Sequence, residues 1–210
     1  MALKVIGGEF RGRNLNSVKG LGTRPLLGQV REALFNILGS GVSGKEVWDL
    51  FAGTGASGIE ALSRGAKRVV FVEKSNQALK VLRYNLDLLG PEAKARCHVL
   101  KMDAWRLVPV LLEGQEAEVP PDVIFVDPPY KLVTEDPTKS AYQVCRLIER
   151  MAPSGVICFH FMDGHLDHDD FDTDLDVDMR HWGRSAVALI RSGTGEPGEP
   201  GEPAEPEEPS

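Results

Sequence analysis

The chain has 210 residues, 42% hydrophobic and 26% charged, which suits one soluble globular domain with a sizeable core. It has no apolar run of 18 residues, so a transmembrane helix is excluded, and its start, MALKVIGGEFRGR, lacks the apolar core of a secretory signal. Three scattered cysteines (Cys97, Cys145, Cys158) without a CxxC pair argue for a reducing, cytoplasmic compartment and against disulfides or structural zinc. The net charge of −7 arises mainly from the last 19 residues, which hold six glutamates and no base. Residues 1–45 instead carry seven basic side chains against two acidic ones. That balance suits contact with a polyanion, although charge alone leaves a merely solvated basic face equally open.

In chain order, residues 3–15 read as a short hairpin turning at glycines, and QVREALFNIL (29–38) as a helix. The helix places Val30, Ala33, Leu34, Ile37 and Leu38 on one face. An alternation follows. KEVWDLF is a strand, SGIEALSRG a helix closed by Gly65, and RVVFVE a strand; SNQALKVLRYNLDLLG is a helix capped by Ser75 and stopping at Gly90-Pro91. CHVLKMD is a strand, AWRLVPVLL a poorer helix, EGQEAEVPP a loop and DVIFVD a strand. TKSAYQVCRLIERM is a helix and GVICFHF a strand. Strands that are apolar almost throughout, alternating with helices, predict a parallel sheet covered on both faces.

Toward the end, Asp170, Asp172, Asp174, Asp176 and Asp178 recur at every second position. This predicts the solvent-facing side of a strand, with Leu175 and Val177 on the other side. RSAVALIR (184–191) completes an antiparallel hairpin, and the Gly-Glu-Pro tail has nothing to bury and is expected to be disordered. No metal is expected: an EF-hand loop would need a glycine and a glutamate that are absent here, and His160, His165 and His168 have no zinc-like partner set. Three regions result: a hairpin-and-helix extension (1–40), the α/β domain (41–191) and the acidic tail (192–210).

Gly53-Thr54-Gly55-Ala56-Ser57-Gly58 satisfies G-x-G-x-x-G between a strand and a helix, and Glu73 ends the next strand about 20 residues on. Together they point to a cofactor bearing a nucleoside. Asp49, four residues before Gly53, would repel a pyrophosphate but suits a cationic ligand such as S-adenosylmethionine. Asp103 ends the third strand, placed to accept from an adenine amine, with Ala104 and Trp105 beside it. On the same rim the fourth strand ends in Asp127-Pro128-Pro129-Tyr130. The Asp127 carboxylate and the Pro128 carbonyl can accept both hydrogens of a base's exocyclic amine and so expose its lone pair. Tyr130 offers a flat face to an unstacked base.

These residues together resemble the class I S-adenosylmethionine-dependent methyltransferases, whose sheet is Rossmann-like. More narrowly, the chain resembles the RsmD-type 16S ribosomal RNA guanine-N2 methyltransferases. IGGEFRGR, TRP followed by VREALFNIL, DLFAGTGASGIEALSRGA, VVFVEK and DPPY occur in that family's order across about residues 3–191. The resemblance implies cofactor contacts at Asp49, Phe51, Gly53, Gly55, Glu73, Lys74, Asp103 and Ala104, with the target base handled by Asp127 to Tyr130. It further implies RNA contacts at the N-terminal side, at Arg11, Arg13, Arg24 and Arg31, and 16S RNA or an assembling small subunit as partner. A cytoplasmic monomer needing neither membrane nor metal is expected. Two departures stand out. Leu26-Leu27-Gly28-Gln29 replaces the family's Thr-Thr-Asp-Arg-like run, and HWGRSAV replaces a closing strand that starts Tyr-Gly-x-Thr. DPPY alone would also suit adenine-N6 methyltransferases, and the altered 26–29 segment would suit a non-catalytic assembly factor that keeps the fold.

Overall fold

The computed structural model describes residues 3–17, 25–107 and 119–193. Five apolar runs pair as parallel strands: β3 (Glu46–Leu50), β4 (Arg68–Glu73), β5 (Cys97–Lys101), β6 (Val123–Val126) and β7 (Val156–Met162). The last two strands, β8 (Leu175–Trp182) and β9 (Ser185–Ser192), form an antiparallel hairpin. Its tight turn is made by Gly183, whose φ of 61° is the left-handed conformation such a turn needs. The sheet order is β5-β4-β3-β6-β7-β9-β8, so the final strand enters between β7 and β8 and leaves β8 at the edge.

Alternate residues of the central strands serve two cores, which is why the runs are apolar throughout. Val47, Val69, Phe71, Val123 and Phe125 pack with α1 (Pro25–Leu38), α2 (Ala56–Ser63) and α3 (Asn76–Asp87). Trp48, Leu50, Val70, Val72, Ile124 and Val126 pack on the other side with α5 (Tyr130–Glu135) and α6 (Pro137–Cys145). Burial of each such side chain stabilises the fold by about 1.5–3 kcal/mol.

Several sequence expectations are corrected in detail. In α1 the buried stripe is Val30, Leu34 and Phe35, while Ile37 is 41% exposed. Phe35 stands 5.3 Å from the Phe125 ring, so the large aromatic sets the rotation of the helix. Gly90-Pro91 does not simply end a helix: Pro91 begins a short one, α4 (Pro91–Ala95), at the first position, where its missing N–H costs nothing. The segment 138–151 divides into α6, capped by the Asp136 carboxylate, and a 3₁₀ turn at Arg146–Arg150. Of the five alternating aspartates only Asp176 and Asp178 lie on β8. Asp170 belongs to a 3₁₀ turn in which Asp167 and Asp170 side chains accept backbone N–H groups, an alternative that holds this segment out of the sheet. The C-terminal half of AWRLVPVLL, most of EGQEAEVPP, Arg24 and the tail from residue 194 lie outside the described residues. Among the described residues no helix is long and apolar enough to cross a membrane.

The N-terminal hairpin, β1 (Leu3–Lys4) with β2 (Asn14–Leu15), is not a separate body. Val5, Phe10 and Leu15 join the core that holds Phe35 and Leu62. Its backbone is fastened to α2 by one buried carboxylate: Glu60 accepts the N–H groups of Ile6 at 2.7 Å and Gly7 at 2.8 Å, and Arg64 Nε at 2.9 Å. Next to it, Ser63 Oγ accepts the Phe10 N–H at 2.8 Å. Gly8, with φ of 74°, passes so close to α2 that a Cβ there would meet Ser63 O at 1.8 Å. Glu60→Ala should therefore cost about 3 kcal/mol in denaturant unfolding and speed amide exchange at Ile6 and Gly7 first, because two partly buried donors and a half-buried guanidinium lose a fully buried acceptor.

Candidate active site

The carboxyl ends of β3, β4, β5 and β6 share one rim, where open α/β sheets hold their ligands. At the end of β3, Asp49 is only 2% exposed, and its Oδ2 accepts the N–H of Gly58 in the first turn of α2 at 2.8 Å. Burial pushes the Asp49 carboxyl up to about 8; the Gly58 bond works against this, while the charges of Asp127 and Glu73 reinforce it. Phe51 follows with φ of 61°, a strained conformation for an aromatic residue of the kind that gathers at ligand sites. Its ring meets Trp105 edge to face, centroids 4.9 Å apart.

The glycine loop then turns back over the strand ends. A Cβ on Gly53 would meet nothing nearer than Phe51 O at 3.8 Å, so a side chain there would stand in the crevice rather than in the core. Glu73, half-buried at the end of β4, accepts the Gly53 N–H at 2.8 Å and the Ser75 N–H at 2.7 Å, which fixes the loop against the second strand. Lys74 Nζ lies 2.9 Å from Asp103 Oδ2. Burial acts to raise the Asp103 carboxyl, but Lys74 and the Trp105 N–H outweigh it and hold it below the usual carboxylate range. Ala104 is buried beside it. The residues expected to contact a cofactor thus lie at or just beyond the carboxyl ends of β3, β4 and β5, with Asp49 beneath the loop and Glu73 engaged by backbone donors.

The parallel register Leu50↔Val126 sets Asp127 beside the glycine loop. Pro129 opens α5, accepting the Leu132 N–H at 2.9 Å, so DPPY is a strand-to-helix junction and not a turn alone. Asp127 is exposed at its carboxylate, and its Oδ1 lies 2.7 Å from His160 Nδ1. Tyr130 Oη lies 3.2 Å from His160 Nε2 and 2.8 Å from Ser185 Oγ. No motif of the sequence marks His160 or Ser185 as belonging to this group. The available signal was a lone histidine in an otherwise apolar strand, one register step beyond the pair Val126↔Phe159. Among the described residues no three His, Cys, Asp or Glu side chains are placed to hold a metal ion.

The expected RNA-contacting arginines divide. Arg11 is exposed. Arg13 lies 5.3 Å from the Phe10 ring centroid and donates to the Leu88 carbonyl at the surface. Arg31 is interior, 9% exposed, and donates to Lys4 O at 2.6 Å, tying α1 to β1. Burial lowers its guanidinium from the usual range, while Glu60 and Asp49 act to raise it. It stands behind the surface that an RNA could touch.

A glycine loop after the first parallel strand, an acid ending the second and DPPY on the neighbouring rim give the chain a Rossmann-like fold of the kind that methyltransferases use. The chain belongs to the family described as "Conserved hypothetical protein 95", whose model matches residues 3–190. It is 40% identical over 129 residues to "Putative rRNA methyltransferase YlbH" of Bacillus subtilis, covering 61% of this chain and 67% of that protein. To "Ribosomal RNA small subunit methyltransferase D" of Escherichia coli it is 33% identical over 129 residues, 61% of each chain. The aligned region thus spans about two thirds of these relatives' length or less. The solved structure "Putative methyltransferase yhhF from Escherichia coli" superposes with a TM-score of 0.74 at 25% identity, covering 92% of this chain and all of that one.

A sulfonium or ammonium held near Asp49 would favour the ionised carboxylate; if Asp49 faces such a cation, affinity for S-adenosylmethionine should rise with pH toward about 8 and then level off. Asp49→Asn should flatten that rise; calorimetry in buffers of different ionisation enthalpy reads the released proton. Stability runs the other way. The folded value lies above the ordinary 3.8, so the folded state binds the proton more tightly and stability falls as pH climbs between those values. Asp49→Asn should accordingly raise the Tm at alkaline pH and leave it nearly unchanged near the ordinary value, as read by a thermal-melt series.

Proposed function

We propose that this protein transfers a methyl group from S-adenosylmethionine to the exocyclic N2 amine of a guanine in small-subunit (16S) ribosomal RNA. It acts in the cytoplasm as a monomer, on RNA or an assembling subunit. The observation that carries the reading is the pairing of β3 with β6, which sets DPPY beside the glycine loop. The names of the similar proteins support ribosomal RNA as substrate. When bound, the cofactor supplies a methyl group already activated by its sulfonium, so alignment and exclusion of water are what the protein must add.

The residues divide that work. Asp49, Glu73 and the Gly53–Gly55 backbone hold the amino-acid and ribose parts, while Phe51, Lys74, Asp103 and Ala104 line the base end. Asp127 and the Pro128 carbonyl accept the two amine hydrogens and turn the nitrogen lone pair toward the methyl carbon. Pro128 and Pro129, with φ fixed, keep that carbonyl from swinging away. Tyr130 supports the flipped base. Arg11 and Arg13 offer charge to the RNA backbone, so replacing either with alanine should weaken RNA binding and reduce the slope of log affinity against log salt by about 1.

The decisive experiment supplies labelled S-adenosylmethionine and small subunits from a strain lacking the corresponding gene, then digests the RNA. Label in N2-methylguanosine is the expected result; label in N6-methyladenosine would favour an adenine enzyme. No label, with cofactor binding intact, would favour an assembly factor. Asp127→Ala should lower turnover by about 100- to 1,000-fold and leave cofactor affinity almost unchanged. Glu73→Ala should instead weaken cofactor binding, through loss of the acceptor that fixes Gly53.

A further inference from the structure

His160 carries a polar ring into β7, a strand otherwise built of Val, Ile, Cys, Phe and Met, and is only 6% exposed. A buried imidazole needs partners for both nitrogens. It has them: Asp127 Oδ1 at 2.7 Å from Nδ1, and Tyr130 Oη at 3.2 Å from Nε2. Ser185, fully buried on β9, stands 2.8 Å behind the same phenol oxygen. One donor order satisfies every atom with a neutral ring. Ser185 donates to Tyr130, Tyr130 donates to Nε2, and Nδ1–H donates to Asp127. The Tyr130 and His160 rings meet edge to face, centroids 5.5 Å apart.

The chain of contacts runs from the sheet interior to the rim. The His160 side chain is 8% exposed and that of Asp127 is 45%, so the imidazole grips one carboxylate oxygen from below and leaves the carboxylate's outer side toward the crevice. A free carboxylate rotates about its Cβ–Cγ bond. One oxygen held by a buried N–H directs the other along one line. The same ring fixes the hydroxyl end of Tyr130 and so the plane on which a base would lie.

We infer that His160 is a positioning residue for methyl transfer, clamping Asp127 Oδ1 through Nδ1–H and Tyr130 through Nε2, with Ser185 buttressing the phenol. The inference rests on the roles given above to Asp127 and Tyr130. His160 forms no bond to the substrate; it holds the two groups that touch the target base. Misplacement of such a group by about an ångström can cost about 100-fold in rate, so removing the clamp should lower kcat rather than weaken cofactor binding.

The test compares three variants with different surviving contacts. The amide nitrogen of Asn reaches the place of Nδ1 and that of Gln the place of Nε2; Phe keeps the ring shape and neither contact. Single-turnover rates with labelled S-adenosylmethionine and small subunits are measured beside cofactor affinity and thermal melts. His160→Phe and His160→Gln should lose about 10- to 100-fold in kcat with cofactor affinity unchanged, and His160→Asn should recover most of that loss. Equal turnover in His160→Phe and wild type would overturn the inference alone, and so would equal losses in the Asn and Gln variants. A wild-type chain that methylates no RNA would instead overturn the proposed function, and the inference with it. A readout free of activity is ¹⁵N NMR of the wild-type imidazole. A proton on Nδ1 is expected; a ring carrying its only proton on Nε2 would leave Asp127 facing a lone pair and would exclude the clamp.

Discussion

The hydrogen bond from the Gly58 N–H to the buried Asp49 carboxyl governs the geometry of the site. It joins the end of β3 to the first turn of α2, and so fixes both the path of the glycine loop and the angle at which α2 leaves the sheet. The packing leaves little choice. A Cβ on Gly58 would meet the Phe71 ring at 2.3 Å, and one on Gly55 would meet Leu82 at the same distance. The backbone at Gly55 and Gly58 therefore lies directly against the Leu82 and Phe71 side chains. The cost is a carboxyl removed from water with its pKa moved to about 8, a local instability accepted at the point where a cation would be held.

Around that fixed point the other acids differ by what already engages them. Glu73 gives its oxygens to two backbone N–H groups, Asp103 is held by Lys74, and Asp127 is held at one oxygen by His160. Each carboxylate is thus oriented from the protein side. The N-terminal hairpin belongs to the same design, since Glu60 ties it to α2, the helix that begins on Asp49.

The sheet, its helices and the crevice were legible because long apolar strands, glycines with a fixed spacing and acids at strand ends follow directly from local chemistry. What escaped depended on contacts distant in sequence. Ile37 and Phe35 both fit a helical stripe, and only the Phe125 ring decides which turns inward. Alternating aspartates have the period of a strand, yet Asp167 and Asp170 satisfy local N–H groups instead. His160 and Ser185 are 25 residues apart in sequence and meet at one phenol oxygen only because β9 lies against β7. A histidine in an apolar strand signals a partner without naming it.

The insertion of β9 between β7 and β8 also sets an order of assembly. As the chain leaves the ribosome, β3 to β7 and the glycine loop can form first, since each pairs with strands made before it. Until Ser185–Ser192 follows, β7 presents an unpaired edge of Val, Ile and Phe residues, and the phenol of Tyr130 has no Ser185 behind it. The glycine loop thus takes shape early, whereas Tyr130 gains its Ser185 partner only with β9, the last strand among the described residues.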